Sequence, residues 1–398
     1  MSLRIKQAVW LAGLVMVGFA VPAGAADKSG PWDLDQLKQT PEATWGETKE
    51  GVQEVFYNGE PFEGHPTRVF AYYARPKEGD GPFPAMLLVH GGGGKAFSQW
   101  ARLWADRGYA ALAMDLAGHG PDGARLPEAG PEQDDRTKFR SFADGEVDQM
   151  WTYHAVAAVI RGGSLLASRK EVDADRLGIT GISWGGYLTC IVAGLDDRLK
   201  VAVPVYGCGY LAEDSVWKPT FDRMPADERK RWVDNFDPSN YLPGVRCPIL
   251  FLNGTNDHSY ALGSWQKSCM LVPGRVDLCL KVRMPHSHPD GWSPVEIGIY
   301  VDSILKDGRP LASIERAELP GKRAVAKFTS SVPITRAEAH FALASGAWDK
   351  RGWQSASAVH TKDAVSAELP TARPLVYYLS ITDARGAQVS TPYEVVEE

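Results

Sequence analysis

Six residues, Gly181-Ile182-Ser183-Trp184-Gly185-Gly186, constrain this 398-residue chain more than any other stretch. The residues before them, Arg176-Leu177-Gly178-Ile179-Thr180, are apolar enough for a short buried strand, and residues 187–193 continue as a buried helix. A strand that becomes a helix over so few residues forces unusual backbone angles on the serine at the turn. Its neighbours must also be small, so that the helix can pass close to the sheet. Gly181 and Gly185 supply that room. A serine held in this way is a candidate nucleophile. An ordinary turn serine is the alternative, and the strand-turn-helix setting favours the nucleophile.

Much of the chain repeats the same rhythm. Residues 53–57 and 67–74 read as antiparallel strands joined by the turn-rich Asn58-Gly59-Glu60-Pro61. Strands over 84–90, 110–115, 201–205, 248–253 and 279–284 then alternate with helices over 96–107, 147–167 and 261–270. In the second of these helices Trp151, His154, Ala155, Ala158 and Val159 recur at helical spacing. A last helix begins at Ser293-Pro294-Val295-Glu296, with the serine as N-cap, proline in the first position and glutamate in the third. Nearly continuous apolar strands alternating with helices predict an α/β fold. Its sheet is mostly parallel and is covered by helices on both faces.

Three segments stand outside the rhythm. Residues 27–50 are polar, contain proline and read as an extended arm. Residues 211–245 are charged and carry Trp217, Met224 and Trp232. They are long enough to form a lid over the carboxyl edge of the sheet, with a solvated surface helix as the alternative. After Leu305 the period shortens to strands over 324–328, 337–343, 365–369, 375–381 and 388–395, with Asp383-Ala384-Arg385-Gly386 as a hairpin turn. That is the pattern of a small all-β sandwich. The expected organisation is a leader over 1–25, an α/β domain over 26–310 and a sandwich over 311–398.

Arg4 and Lys6 precede an apolar run over 8–20 and the small-residue site Ala23-Gly24-Ala25, the pattern of an export signal cleaved before Ala26. A retained membrane anchor is the alternative. The expected location is periplasmic or secreted, without membrane contact after cleavage. The net charge of −6 becomes more negative by two when those cations leave. An acidic chain without a basic run is a poor nucleic-acid binder. The remaining length of about 370 residues exceeds what one core usually serves. Cys190, Cys208, Cys247, Cys269 and Cys279 match no zinc spacing, and neither a metal nor another cofactor is expected. Cys269 and Cys279 are the closest plausible disulfide pair, with buried free thiols as the alternative.

A serine hydroxyl needs a base to take its proton, a carboxylate to orient that base and donors to meet the oxyanion that forms. Each part is present in the chain order Ser, acid, His. The acid candidate is Asp257, in Leu252-Asn253-Gly254-Thr255-Asn256-Asp257 just past an apolar strand, and Asp222 and Asp237 are weaker choices. The base candidates are His286 and His288, in Met284-Pro285-His286-Ser287-His288-Pro289. His288 is preferred, because His286 stands so near the strand that its ring is more readily held in the sheet edge. His65, His119 and His154 lack a strand-end setting and read as structural. The glycines after His90, Gly91-Gly92-Gly93-Gly94, expose backbone N–H groups. Gly92, or Gly93 beside it, is expected to pair with the Trp184 N–H as the oxyanion hole. No Lys-Ser/Thr follows the glycine run at P-loop spacing, which argues against phosphate binding.

With His90-Gly91-Gly92-Gly93, the Gly181–Gly186 motif, Gly254-Thr255-Asn256-Asp257 and His286-Ser287-His288 in order, the chain resembles the α/β-hydrolase superfamily over roughly residues 50–307. It looks most like the dienelactone-hydrolase, acetyl-xylan-esterase and prolyl-oligopeptidase-like branch. The resemblance implies Ser183 as nucleophile, Asp257 as acid and His288 as base. Members of that branch usually carry one histidine followed by glycine and an aromatic residue, whereas here two flank Ser287. The C-terminal part resembles a fibronectin-type-III-like or immunoglobulin-like sandwich.

The function expected from these readings is a secreted serine esterase that cleaves carboxylic esters through an acyl-enzyme. Its substrate would be a small-molecule ester or acetyl or other acyl groups on a polysaccharide. Trp184, Trp217, Trp265 and Trp292 are candidates for stacking on sugar rings, against core packing. A prolyl-oligopeptidase-like peptidase using the same triad is a second reading, although the segment before residue 84 is too short for that branch's propeller. A binding protein with a vestigial hydrolase fold is the third.

Overall fold

A computed structural model describes residues 30–397, so the leader expected over 1–25 lies outside the described residues. A nine-stranded sheet forms the larger part of the molecule. Its strands are β1 (Ala43–Lys49), β2 (Val52–Asn58), β3 (Arg68–Ala74), β4 (Phe83–Val89), β5 (Ala110–Met114), β6 (Val172–Ile182), β7 (Leu199–Val205), β8 (Ile249–Gly254) and β9 (Val276–Lys281). They lie in the order β1-β2-β3-β5-β4-β6-β7-β8-β9. From β5 to β9 every neighbouring pair is parallel, and β1, β2 and β3 join antiparallel at one edge. All residues of β5 and β8 are buried, as the continuous apolar runs predict for strands covered on both faces.

The helices are α1 (Leu34–Leu37), α2 (Ser98–Asp106), α3 (Asp135–Lys138), α4 (Trp151–Ala167), α5 (Trp184–Leu195), α6 (Lys218–Arg223), α7 (Ala226–Phe236), α8 (Leu262–Cys269), α9 (His288–Trp292) and α10 (Val295–Leu305). Successive residues of β4 point to opposite faces, and each face meets a different helix. On the Leu87 side, Gly163 of α4 approaches within van der Waals reach of Leu87 and Leu177. On the Met86 side, Gly178 is small enough to leave room for Met86, Val201 and Leu305 of α10. These contacts make the expected α/β fold, a mostly parallel sheet flanked by helices.

Two local expectations are corrected. Residues 27–50 are not simply an extended arm, because they contain α1 and the edge strand β1. Most of β1 is exposed, so its sequence carries no alternation, and its backbone pairing with β2 is what orders it. Trp32 also anchors the segment: it is buried, stacks on Tyr153 and packs edge-on against Phe236. Ser293 is not the N-cap of the last helix. Pro294 holds that position in α10, and the Ser293 hydroxyl donates to the Asp290 carbonyl because α9 ends immediately before it.

Residues 211–245 fold as α6, α7 and short turns. Phe221, Trp232 and Phe236 are buried there, and Trp232 stacks on Phe139 while its indole N–H donates to the Lys138 carbonyl. One face of this segment is therefore part of the core. All five cysteines are free and buried, so Cys269 and Cys279 form no bridge. Among the described residues no helix is long and apolar enough to cross a membrane.

The C-terminal part forms a separate all-β domain. β10 (Ser313–Ile314), β11 (Arg323–Thr329), β12 (Ile334–Leu343), β13 (Gln354–Ser357), β14 (Val359–His360), β15 (Ala364–Glu368), β16 (Leu375–Asp383), β17 (Gln388–Ser390) and β18 (Glu394–Val396) pair antiparallel. They make two sheets, β10-β11-β15-β14 and β13-β12-β16-β17, with β18 beside β16. This domain covers the β9 edge of the large sheet, an edge that would otherwise offer unpaired backbone groups. The Gln388 side chain donates to the Leu280 carbonyl at 2.8 Å, and the Leu280 N–H donates to Ser390 Oγ at 3.0 Å.

Candidate active site

The site lies along the carboxyl edge of the parallel strands, where α/β sheets place their ligands. Ser183 sits between β6 and α5 with φ 58° and ψ −118°, an unusual backbone conformation for a residue with a side chain. It is the one partly exposed residue in the run 181–190. The glycines around it leave no space for side chains. A Cβ on Gly185 would lie 1.9 Å from the Val89 carbonyl oxygen, and one on Gly181 would lie 2.2 Å from the Gly185 oxygen. Trp184 opens α5, so its N–H is one of the helix-start donors that the helix itself leaves without an acceptor. The helix dipole there favours negative charge.

Asp257 follows β8 and is buried. Its Oδ1 accepts the N–H groups of Ser259 and Tyr260 at 2.9 and 2.8 Å. Its Oδ2 lies 2.6 Å from Nδ1 of His286. A carboxylate on that side requires the proton on Nδ1, which leaves the Nε2 lone pair of His286 open. The ring is also held by stacking: Tyr206 lies 4.3 Å away and near-parallel, and Tyr260 is parallel at 6.3 Å on centroids. Tyr206 follows β7 with φ 66°, and its hydroxyl donates to the Pro285 carbonyl at 2.5 Å. Sequence reasoning missed both tyrosines. Only their places just past strand ends mark them.

The expectation that preferred His288 to His286 as the partner of the acid does not match this geometry. Ser287 is the N-cap of α9 and its Oγ accepts the Asp290 N–H, so the chain passes from extended to helical between the two histidines. The imidazoles diverge as a result. His288 Nε2 accepts the Gly91 N–H at 3.0 Å, and its ring packs on Phe97 at 4.9 Å. Among the described residues no carboxylate is bonded to it. Burial first, then the neighbouring His90 and His286, lowers its pKa to about 4, so it is neutral near pH 7.

The glycine loop is a tight turn. The Gly94 N–H donates to the Gly91 carbonyl at 3.1 Å, and Gly93 has φ +65°, which glycine adopts without strain. His90 is buried and neutral, its pKa lowered by desolvation. Its Nε2 accepts the Leu116 N–H at 2.8 Å, so Nδ1 carries the proton and donates to the Gly91 carbonyl at 2.7 Å. Gly91 and Gly94 therefore have their N–H groups engaged, and Gly92 and Gly93 have no such partner among the described residues. Gly92 lies beside Trp184, since a Cβ there would stand 3.0 Å from the indole Cδ1.

Ser183, Asp257, His286, His288, Gly92, Gly93 and Trp184 thus share one edge. No hydrogen bond joins the Ser183 hydroxyl to either imidazole among the described residues. Catalytic hydrogen bonds are often long before substrate binds. The segment 211–245 reaches Trp184, since Trp217 lies 4.6 Å from it on ring centroids, and from α3 the Lys138 ammonium lies 4.8 Å from the Trp184 ring. Trp184 and Trp265 are buried and therefore serve the core rather than sugar stacking, whereas Trp217 and Trp292 are half-buried. His154 lies elsewhere, with Nε2 2.6 Å from the Asp148 carbonyl. Asp222 and Asp237 also lie apart from the pair: Asp222 meets Lys218, and Asp237 accepts the N–H groups of Tyr210 and Leu211. Among the described residues no group of three His, Cys, Asp or Glu side chains is arranged to hold a metal ion.

The model of the acetyl xylan esterase (AXE1) family matches residues 42–241, about half of the chain. The chain belongs to this acetyl xylan esterase family. The family match takes in the glycine turn and the Ser183 elbow, while Asp257, His286 and His288 lie beyond its end. The acetyl esterase Axe7A of Xylanibacter ruminicola is 25% identical over 202 residues, which cover 48% of this chain and 46% of that relative. The chain thus spans about half the length of this curated relative. Among solved structures, an acetyl xylan esterase from Paenibacillus sp. R4 aligns with a TM-score of 0.53 at 23% identity, over 64% of this chain and 87% of its own. Acetyl xylan esterase 1 from Thermoanaerobacterium sp. JW/SL YS485 aligns with a TM-score of 0.50 at 19% identity, over 65% and 89%. These likenesses show the α/β-hydrolase fold of the larger domain.

Proposed function

We propose that the protein is a serine carboxylic ester hydrolase that removes acetyl or other short acyl groups, with acylated carbohydrate as the substrate class. One observation carries this reading: the Asp257–His286 pair and the strained, partly exposed Ser183 stand on the same sheet edge, beside a glycine turn whose Gly92 and Gly93 N–H groups have no partner among the described residues. Membership of the acetyl xylan esterase family supports the ester class.

In this mechanism His286 Nε2 takes the Ser183 proton while Oγ attacks the ester carbonyl. The tetrahedral oxyanion accepts the N–H groups of Trp184 and Gly92 or Gly93, in a position where donors are worth several kcal/mol. His286 returns the proton to the departing alcohol as the C–O bond breaks, which leaves the acyl group on Ser183. Water, deprotonated by the same imidazole, attacks the acyl-enzyme; collapse of the second oxyanion expels Ser183 Oγ, which regains its proton from His286. Asp257 holds the imidazole in the tautomer this cycle needs and stabilises its charged form. Export of the mature chain belongs to the same proposal, and an N-terminus at Ala26 on protein recovered outside the cytoplasm is its check.

The test is a panel of acetylated glycans, feruloyl esters and nitrophenyl esters turned over by wild type and Ser183→Ala, with a fluorophosphonate probe on both. The expected result is turnover of acetyl esters and labelling of Ser183, both lost in the variant. Full activity in Ser183→Ala would overturn the reading.

A further inference from the structure

We propose that His288 is a positioning residue for the oxyanion turn: its Nε2 lone pair holds the Gly91 N–H and so sets which N–H groups the turn presents to the substrate. This rests on the Ser183 esterase reading. It assigns a role to the second histidine, which the proton-transfer chemistry does not use.

The geometry brings two imidazoles onto the same turn from distant parts of the sequence. His90 fixes the Gly91 carbonyl through Nδ1–H, and His288 fixes the Gly91 N–H through Nε2. Both rings converge on the inner side of the turn. A Cβ on Gly94 would stand 2.6 Å from His288 Nε2 and 2.8 Å from His90 Nδ1. One on Gly91 would stand 2.9 Å from Ser183 Cβ and 3.3 Å from His288 Nε2. Gly91 therefore lies close against the Ser183 residue, and a shift of the turn by a fraction of an ångström moves Gly92 and Gly93 relative to the reacting carbonyl. Oxyanion donors act only when they are held in advance at hydrogen-bond distance from where the charge forms.

His288 is itself held on several sides. It occupies the first turn of α9 behind the Ser287 cap, and Phe97 packs on its ring. Trp292 of the same helix packs on Phe97 and Trp100, and Gly291 lies against Ile182, the residue before the nucleophile. The lone pair that accepts from Gly91 is the one a base would need, and among the described residues no carboxylate is bonded to the ring. The chemistry left to His288 is that of a neutral acceptor.

The experiment measures kcat and KM on 4-nitrophenyl acetate, with fluorophosphonate labelling, for wild type, His288→Leu, His288→Gln and His286→Ala. The expected result for His288→Leu, which lacks an acceptor, is a fall in kcat of about 10²-fold with KM little changed and Ser183 still labelled. His288→Gln can place an amide oxygen near the Nε2 position, and is expected to recover kcat to within about tenfold of wild type. Wild-type kcat in His288→Leu would overturn the proposal, as would a His288→Gln enzyme as inactive as His286→Ala. If His288→Leu does not fold, His288→Gln against His288→Asn decides. The shorter amide does not reach Gly91, so equal kcat in those two overturns the proposal. A wild-type enzyme that the probe does not label would instead remove the esterase reading, and this proposal with it.

Discussion

Nδ1 of His286 stands 2.6 Å from Oδ2 of Asp257, and the ring of the same histidine is stacked on Tyr206. The carboxylate selects the tautomer and the tyrosine selects the ring plane, so the His286 ring is held on two sides. Loss of either partner has a definite consequence.

Asp257→Asn keeps the shape of the side chain but removes the charge that favours Nδ1–H on His286. We expect kcat on a nitrophenyl ester to fall about 10⁴-fold, and His286→Ala to fall at least as far, both with KM nearly unchanged. Steady-state kinetics with both variants check this. A loss below about tenfold in His286→Ala would mean that another group is the base.

Gly185→Ala tests the packing at the elbow. The added methyl carbon would begin 1.9 Å from a backbone oxygen of β4, which has no flexible end to move aside. The expected cost exceeds about 3 kcal/mol, in the range of severe overpacking. It would appear as a large drop in the midpoint of denaturant unfolding, or as failure to recover folded protein. A midpoint equal to wild type would contradict the close approach of α5 to β4.

Acid should weaken this fold through its buried histidines. Burial, then His90 and His286, lowers the His288 pKa from the ordinary 6.5 to about 4; burial, then Arg336, does the same for His340. Burial also lowers His90 and His154. Between the two values the unfolded chain binds protons that the folded one refuses, so stability is complete above about pH 6.5 and declines as the pH falls toward about 4. Urea midpoints measured from about pH 7 to about pH 4.5 should decrease steadily. A flat profile over that window would show that these rings take up protons as readily in the folded state as in the unfolded one.

Asn256 ties the acid loop to the C-terminal domain. Its side-chain amide donates to the Asp349 and Arg351 carbonyls at 2.9 and 3.0 Å, next in sequence to Asp257. On the base side, Arg283 donates to the Trp353 carbonyl at 2.8 Å. Asn256→Ala should cost about 1–2 kcal/mol of stability, from two hydrogen bonds with net worth of about 1 kcal/mol each. It should also lower kcat several-fold, because the acid loop loses its brace. Denaturant unfolding and ester kinetics on the same preparation check both. Unchanged values in both would show that the sandwich does not support the site.

Much of the architecture is legible along the chain because each central strand is buried on both faces and must be apolar throughout. β4, β5, β7 and β8 stand within a residue or two of where the apolar runs put them. Strand β1 was not legible, since an exposed edge strand is ordered by backbone pairing that leaves no side-chain pattern. Ser293 reads along the chain as a helix cap, but α9 ends at Trp292 and that hydroxyl donates to the Asp290 carbonyl instead, leaving Pro294 as the N-cap of α10. The place of Ser183 was legible from the glycines that its strained turn requires. The partner of Asp257 was not.

What the sequence by itself determined is therefore local and steric: the strand-helix alternation, the glycines that let α5 cross β4, the change of period after Leu305 and the chain order of serine, acid and histidine. Tertiary structure alone decided which imidazole meets Asp257, what holds the glycine turn and how the C-terminal domain touches the acid loop. His286 and His288 are two residues apart and chemically identical, so nothing in their own composition separates them. Their difference arises because Ser287 turns the chain into α9 and aims one ring at the end of β8 and the other at the end of β4. Those contacts join residues about 30 and about 200 positions apart, and they come into being only when the sheet brings its strand ends to one edge.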